Sequence, residues 1–167
     1  MATVVADAGP LMALAKLNLL HLLKRLYQQV QFPRSVYEEV VVEGIRRGFD
    51  DAYTLQLFLS QESWKPTQVR DVPDALATLS LDQGERESVA LALAEDGLLL
   101  IDEERGRAAA RQLGVTVRGT LGILIHAYRA GLITADQLRL YFGQIEERMD
   151  IWISPALCRR LLQKVLD

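Results

Sequence analysis

The chain has 167 residues, half of them hydrophobic and a quarter charged, with a net charge of −3 and one cysteine. That is the balance of one globular domain, able to bury about two-thirds of its unfolded surface. Cys158 alone allows neither an internal disulfide nor a cysteine-built metal cage and fits a reducing cytoplasm, while the slight acidity argues against indiscriminate nucleic-acid binding. The N-terminus lacks the basic segment and apolar core of a signal peptide, and no uninterrupted apolar run reaches the roughly eighteen residues of a membrane span.

In chain order, Thr3–Ala6 predicts a short buried strand ending at Asp7, and Ala8-Gly9-Pro10 leads into a helix. Leucines from Leu11 to Leu26 recur at helical spacing, with a break near Asn18; the stretch is expected to be core and to offer a surface for a homodimer. Val30–Phe32 predicts a second strand. Pro33-Arg34-Ser35 opens a helix with Ser35 as N-cap and Glu38 closing a capping box, which leaves Glu39 free about 100° further round. VVVEGIRRG should break that helix before another over Asp50–Gln61. Trp64–Val72, interrupted by Pro66, is at best an edge strand. Pro73–Leu79 predicts a short helix.

The stretch LDQGERESVALALAEDGLLLIDEERGR, Leu81–Arg107, is the most informative. Good helix formers fill Glu85–Glu95 and Asp96-Gly97 closes them; Leu98–Ile101 then has the unbroken apolar character of a strand buried on both faces. Eight acids lie between Asp82 and Glu104 against Arg86 alone, and four arginines without an acid follow from Arg105 to Arg118. Helices are predicted at Arg107–Leu113, at Leu121–Ala130 with Thr120 as N-cap, at Asp136–Met149, and at Pro155–Leu166 with Ser154 as N-cap; Val115–Val117 predicts the last strand. Strands alternating with helices imply a three-layer α/β/α domain around a parallel sheet.

Asp7 and Asp102 each end a buried strand, and ligands of open α/β sheets bind at that end. With Glu39 and Glu85 on flanking helices they would form a carboxylate cluster. Two such charges about 5 Å apart repel by roughly 3 kcal/mol at an effective dielectric near 20, so a cation is called for. Oxygen ligands without cysteine or a histidine pair select Mg²⁺ or Mn²⁺, the ions suited to displacement at phosphorus. Singly, each acid also has an ordinary reading, such as a turn residue for Asp7 or a helix N-terminus for Glu85. His21 and His126 read as structural or merely exposed.

The blocks VVADAGPLMALAKL, FPRSVYEEV, LDQGERESVALALA, LLLIDEERGRAAARQLGV and RGTLGILIHAYRAGLI resemble the successive motifs of a PIN domain, nearest to VapC-like nucleic-acid-binding members, over about Val4 to Ile133. The resemblance implies one PIN-like domain over residues 1–167, with residues 134–167 as C-terminal helices. It further implies a metal-dependent endoribonuclease, a cytoplasmic toxin held by a small antitoxin, with RNA as substrate. The family's four acids fall on Asp7, Glu39, Glu85 and Asp102, with Glu103, Glu104 and Thr120 as additional site residues. The family pattern admits Glu104 in place of Asp102, and Asp102 is preferred because it leaves the strand directly. Two departures stand out: Ala8-Gly9 where Ser or Thr is common, and Glu85 where the third acid is usually Asp. Arg105, Arg107 and Arg111 are the expected RNA phosphate contacts. The competing reading is a non-catalytic module on the same scaffold, binding RNA or a protein.

Overall fold

The computed structural model describes residues 2–167. Three strands, β1 (Val4–Ala6), β2 (Leu98–Leu100) and β3 (Val117–Arg118), pair in that order and all in parallel. On the far side of β1, Gln31 bridges Val5 in parallel, and beyond it Thr67 bridges Pro33. The chain therefore starts in the middle of the sheet, steps outward through residues 31–33 and 67, and returns to the opposite side of β1. The reversal falls between β1 and β2, where an open parallel sheet leaves a crevice at its carboxyl edge.

Side chains alternate across this sheet. Val4, Ala6 and Leu100 pack with helices α1 (Ala8–Lys16), α2 (His21–Tyr27), α5 (Asp50–Glu62), α9 (Thr120–Arg129) and α10 (Ala135–Glu147), together with Cys158 of α11 (Pro155–Leu166). Val5, Leu99 and Ile101 face the other way, onto Leu76 of α6 (Asp74–Ala77), α7 (Gln83–Ala94) and α8 (Glu104–Gln112). The domain is thus α/β with a helical layer on each face, as the alternating pattern implies.

Several boundaries differ from expectation. The strand at Val30–Phe32 shrinks to a bridge. The last strand shifts from Val115–Val117 to Val117–Arg118, because the Val115 amide closes α8 on Ala110 O at 2.9 Å after the left-handed Gly114 (φ 82°). Leu11, Leu14, Leu19, Leu22 and Leu23 are buried within the chain's own core. The proposed leucine dimer surface is therefore interior, and the break at Asn18 (φ 58°) is what lets both helices turn their leucines inward.

The helix after Pro33 needs the largest correction. Ser35 is not its N-cap: it lies inside α3 (Arg34–Tyr37), and its Oγ donates to Glu87 Oε1 at 3.0 Å. Glu38 is exposed and closes no capping box. VVVEG does not break the helix either, but continues it as a π-helical segment, Glu38–Glu43, into α4 (Gly44–Arg46). The wider turn buries Val40 and Val41 together while Glu39 stays outside, beside the crevice. The break comes at Gly48, with φ at 78°.

Two glycines give opposite expectations for stability. A Cβ on Gly97 would lie 2.6 Å from Thr3 O, a backbone atom of the neighbouring strand segment, so Gly97→Ala should destabilise by about 1–3 kcal/mol. Gly143 sits inside α10 with open space around its would-be Cβ, so Gly143→Ala should stabilise by about 1 kcal/mol. Denaturant midpoints of the two variants check both signs.

Candidate active site

One cavity of about 740 Å³ opens at the carboxyl edge between β1 and β2, and its walls carry Asp7, Glu39, Asp82, Glu85, Asp102, Glu103 and Glu104. Asp7 leaves β1 with its amide on Leu100 O at 2.9 Å and occupies the cap position of α1. Its carboxylate does not cap that helix. Instead Oδ1 accepts from Ser88 Oγ of α7 at 3.0 Å, in a buried contact spanning 81 residues. Glu85 is also buried, at 6% exposure. It is locked into the first turn of α7 by a capping box: Asp82 Oδ1 accepts from the Glu85 amide at 2.8 Å, and Glu85 Oε2 accepts from the Asp82 amide at 3.3 Å.

Asp102 emerges just past β2, half-buried, and both its oxygens are held by one residue. Oδ1 accepts from the Thr120 amide at 2.7 Å and Oδ2 from Thr120 Oγ1 at 2.6 Å. Thr120 is accordingly not the N-cap expected of it. Gly119 holds that position and Thr120 is the first residue of α9, so Asp102 caps the helix from another segment of the chain. Glu104, by contrast, is exposed and its nearest cation is Arg111 at 3.8 Å. Gly9 explains the unusual Ala8-Gly9 pair, since a Cβ there would come within 3.3 Å of Asp102 Oδ2.

Burial dominates the electrostatics. It pushes the Asp7 carboxyl up to about 7, against the Ala8 amide and Ser88, which favour the charged form, while Asp82 and Glu39 add to the rise. Glu85 is likewise pushed up to about 7, first by burial and then by the Asp82 charge, with Arg105 opposing. Asp102 is raised by burial against its Thr120 bonds and Arg107. Glu39, exposed at the rim, is raised by partial desolvation from the wall and by Asp82 and Glu85. Buried carboxylates of one sign, with oxygen donors only, fit a hard divalent cation. No three of the described acids form a ready-made cage.

The arginines separate in role. Arg105 sits 3.9 Å from Glu85 and 3.5 Å from Glu103, exposed at the edge of the acids. Arg107 instead turns inward and donates from Nη1 to Ile101 O at 2.8 Å, which bolts α8 to the end of β2. Arg111 lies out on Glu104. His126 packs against Tyr27, and Arg118 Nη1 reaches both of them, at 2.9 and 3.0 Å; His21 is exposed. Asp82 and Ser88 lie outside the four acids that the motifs pick out, yet both belong to the site. Their signals were there: Asp82 stands three residues before Glu85, the spacing of a capping box, and Ser88 lies one turn after Glu85 on the same face.

The site is thus an acid-walled pocket at the switch point of a parallel sheet. A family model described as PIN domain matches residues 3–167, and the chain belongs to that family. PIN domains are generally nucleases, typically use divalent metals and bind nucleic acid. The match runs through α10 and α11, beyond the motifs legible in the sequence. No curated protein and no solved structure matches the chain. No helix is long and apolar enough to cross a membrane among the described residues.

Because Asp7 and Glu85 ordinarily titrate at 3.8 and 4.5 and are raised to about 7, the folded state holds additional protons between those values. Stability in chelator should therefore fall as pH rises from about 4 to about 7 and level off above that. Asp7→Asn should flatten the fall. Mn²⁺ should raise the melting temperature most at the alkaline end, where the carboxylates are free to bind it. Thermal melts across pH, with and without Mn²⁺, measure all three.

Proposed function

We propose that the chain is a Mg²⁺- or Mn²⁺-dependent endoribonuclease. The observation that carries this reading is that Asp7 and Asp102, leaving adjacent parallel strands, share one pocket with Glu85 and Glu39. Asp7, Glu85 and Asp102 would hold the ion directly, with Glu39 and Asp82 as further oxygen donors from the rim. A bound ion of this kind activates water and neutralises charge developing on phosphate oxygens.

The chain's own residues prepare the rest. Ser88 and Thr120 fix the orientation of Asp7 and Asp102, and such supporting contacts matter about as much as the ligands they hold. Glu85 Oε1 is the oxygen left over by the capping box, and it is the one that would turn to the ion. Arg105, half free at the acid edge, is suited to a phosphate. Arg107 already serves the fold and Arg111 lies out on Glu104, so Arg105 is the best placed of the three.

RNA as substrate, a small antitoxin as partner and a cytoplasmic setting rest on the resemblance to VapC-like members and on the lone cysteine. A homodimer would have to use exposed side chains such as Tyr53 and Leu57 instead of the buried leucines.

Two glutamates on α7 separate the reading from its alternatives. Glu85→Gln keeps both capping contacts, since Gln serves a capping box as well as Glu, yet it should lower metal-dependent cleavage by at least ~100-fold. Glu87 faces away, holding Ser35 and Gln83, and Glu87→Gln should cleave at the wild-type rate. Equal, small effects in a gel assay on structured RNAs would leave the non-catalytic module as the better account. A separate measurement tests the rim: Arg105→Gln should reduce the salt dependence of RNA binding by about one charge.

A further inference from the structure

The acid pocket has a second lip that this chemistry leaves unused. Between α10 and α11, residues 148–154 run without regular structure past the C-terminal end of α1, and they are tightly fastened there. Arg148 grips Asp150 through Nε at 2.8 Å and Nη2 at 2.7 Å, and its Nη1 donates to Lys16 O at 3.3 Å. Lys16 Nζ donates to Asp150 O at 2.6 Å. The two contacts with Lys16 tie the loop to the end of α1.

What the fastened loop displays is an indole. Ile151 is buried and Ile153 half-buried, so the alternation turns Trp152 outward, at 92% exposure, where it lines the same cavity as Asp7, Glu85 and Asp102. The other tryptophan, Trp64, is 7% exposed and packs edge-on against Phe58. Trp152 has no aromatic partner among the described residues. Its environment also limits what can bind there by charge, because Lys16 and Arg148 are both engaged by Asp150. A strand entering an acid-walled pocket past these residues gains little from its phosphates on this side and needs an uncharged contact.

We propose that Trp152 is a base-stacking platform, taking an unpaired nucleobase of the strand whose phosphate lies among the carboxylates. The proposal rests on the nuclease reading for the phosphate and extends it to the substrate's form. Aromatic stacking tolerates every base, since each has a π face. A base inside a duplex has both faces covered by its neighbours, so the platform selects single-stranded or looped-out RNA over paired RNA.

The test uses a fluorescein-labelled short oligouridylate and the matching duplex, with Ca²⁺ in place of Mn²⁺, and follows anisotropy together with iodide quenching of tryptophan. The wild-type protein should bind the single strand better than the duplex, and bound strand should shield the exposed tryptophan from iodide. Trp152→Ala should weaken single-strand binding about 5- to 100-fold with an unchanged melting temperature, and Trp152→Phe should recover most of it. Equal affinity of the Ala variant and wild type, failure of wild type to bind the single strand, or continued iodide access in the complex would overturn the proposal. So would a Trp152→Ala protein with intact RNA binding but altered sedimentation, which makes the indole a contact between copies or with a protein. Cleavage in Mn²⁺ separates the two readings: cleavage with no Trp152 effect sinks the platform alone, and Trp152-dependent binding without cleavage sinks the nuclease alone.

Discussion

The structure depends on placing several carboxylates at one edge of a sheet without letting their repulsion open it. Asp7 and Asp102 end adjacent strands, and neither is left to solvent: each accepts a hydroxyl hydrogen bond from a distant segment, Ser88 for the first and Thr120 for the second. The helices contribute as well. Asp7, Asp82 and Glu103 occupy the cap positions of α1, α7 and α8, and Thr120 begins α9, so four helix N-termini meet the acids. Each carries a partial positive charge that favours a nearby anion by about 0.3–1 kcal/mol. That arrangement follows from the topology: α1, α8 and α9 each follow a strand and so start at the carboxyl edge, and α7, which leads into β2, starts there too because it runs back against the strand.

The compensation is incomplete, and that is the useful part. Burial still leaves Asp7 and Glu85 partly protonated at pH 7, and on the metal reading a divalent ion would displace those protons. Metal binding at such a site releases protons and stabilises the fold together. Glycine enters for a related reason: Gly9 and Gly119 are where backbone approaches Asp102 closely, and a Cβ at Gly119 would lie 2.9 Å from Oδ1. The acid is enclosed by backbone that no larger residue allows.

Around this centre the surface is asymmetric. One edge carries Arg105, exposed but already drawn toward Glu85 and Glu103; the other carries an outward indole on a loop clamped to α1. Arg107, which has the sequence character of a surface cation, is instead a strut between α8 and the end of β2. Most of the cationic surface near the acids is thus already paired, so a polyanion approaching the pocket would depend on the ion and on uncharged contacts more than on a basic rim.

The sequence by itself determined the strand that ends at Asp7, the buried strand before Asp102, the C-terminal stops at Asp96 and Gly114, and the layered α/β order, because these rest on local signals: apolar runs, acids at their ends, left-handed turn residues. Motif order also picked out Asp7, Glu39, Glu85 and Asp102, and all four line the same pocket. Only the tertiary structure decided how they are held. Asp82 reads as a helix cap and Ser88 as a small residue on an apolar helix until the fold sets them beside Asp7, whose oxygen lies 81 residues away in the chain. Thr120 has the right type and place for an N-cap, and loses that role because the carboxylate of Asp102 supplies it from outside. The π-helical segment at Glu38–Glu43 left no periodic signature, since EEVVVE allows several turns and packing of Val40 and Val41 selects one. The outward turn of Trp152, too, is set by which neighbours reach the core and by the clamp on Lys16, and local sequence carries neither.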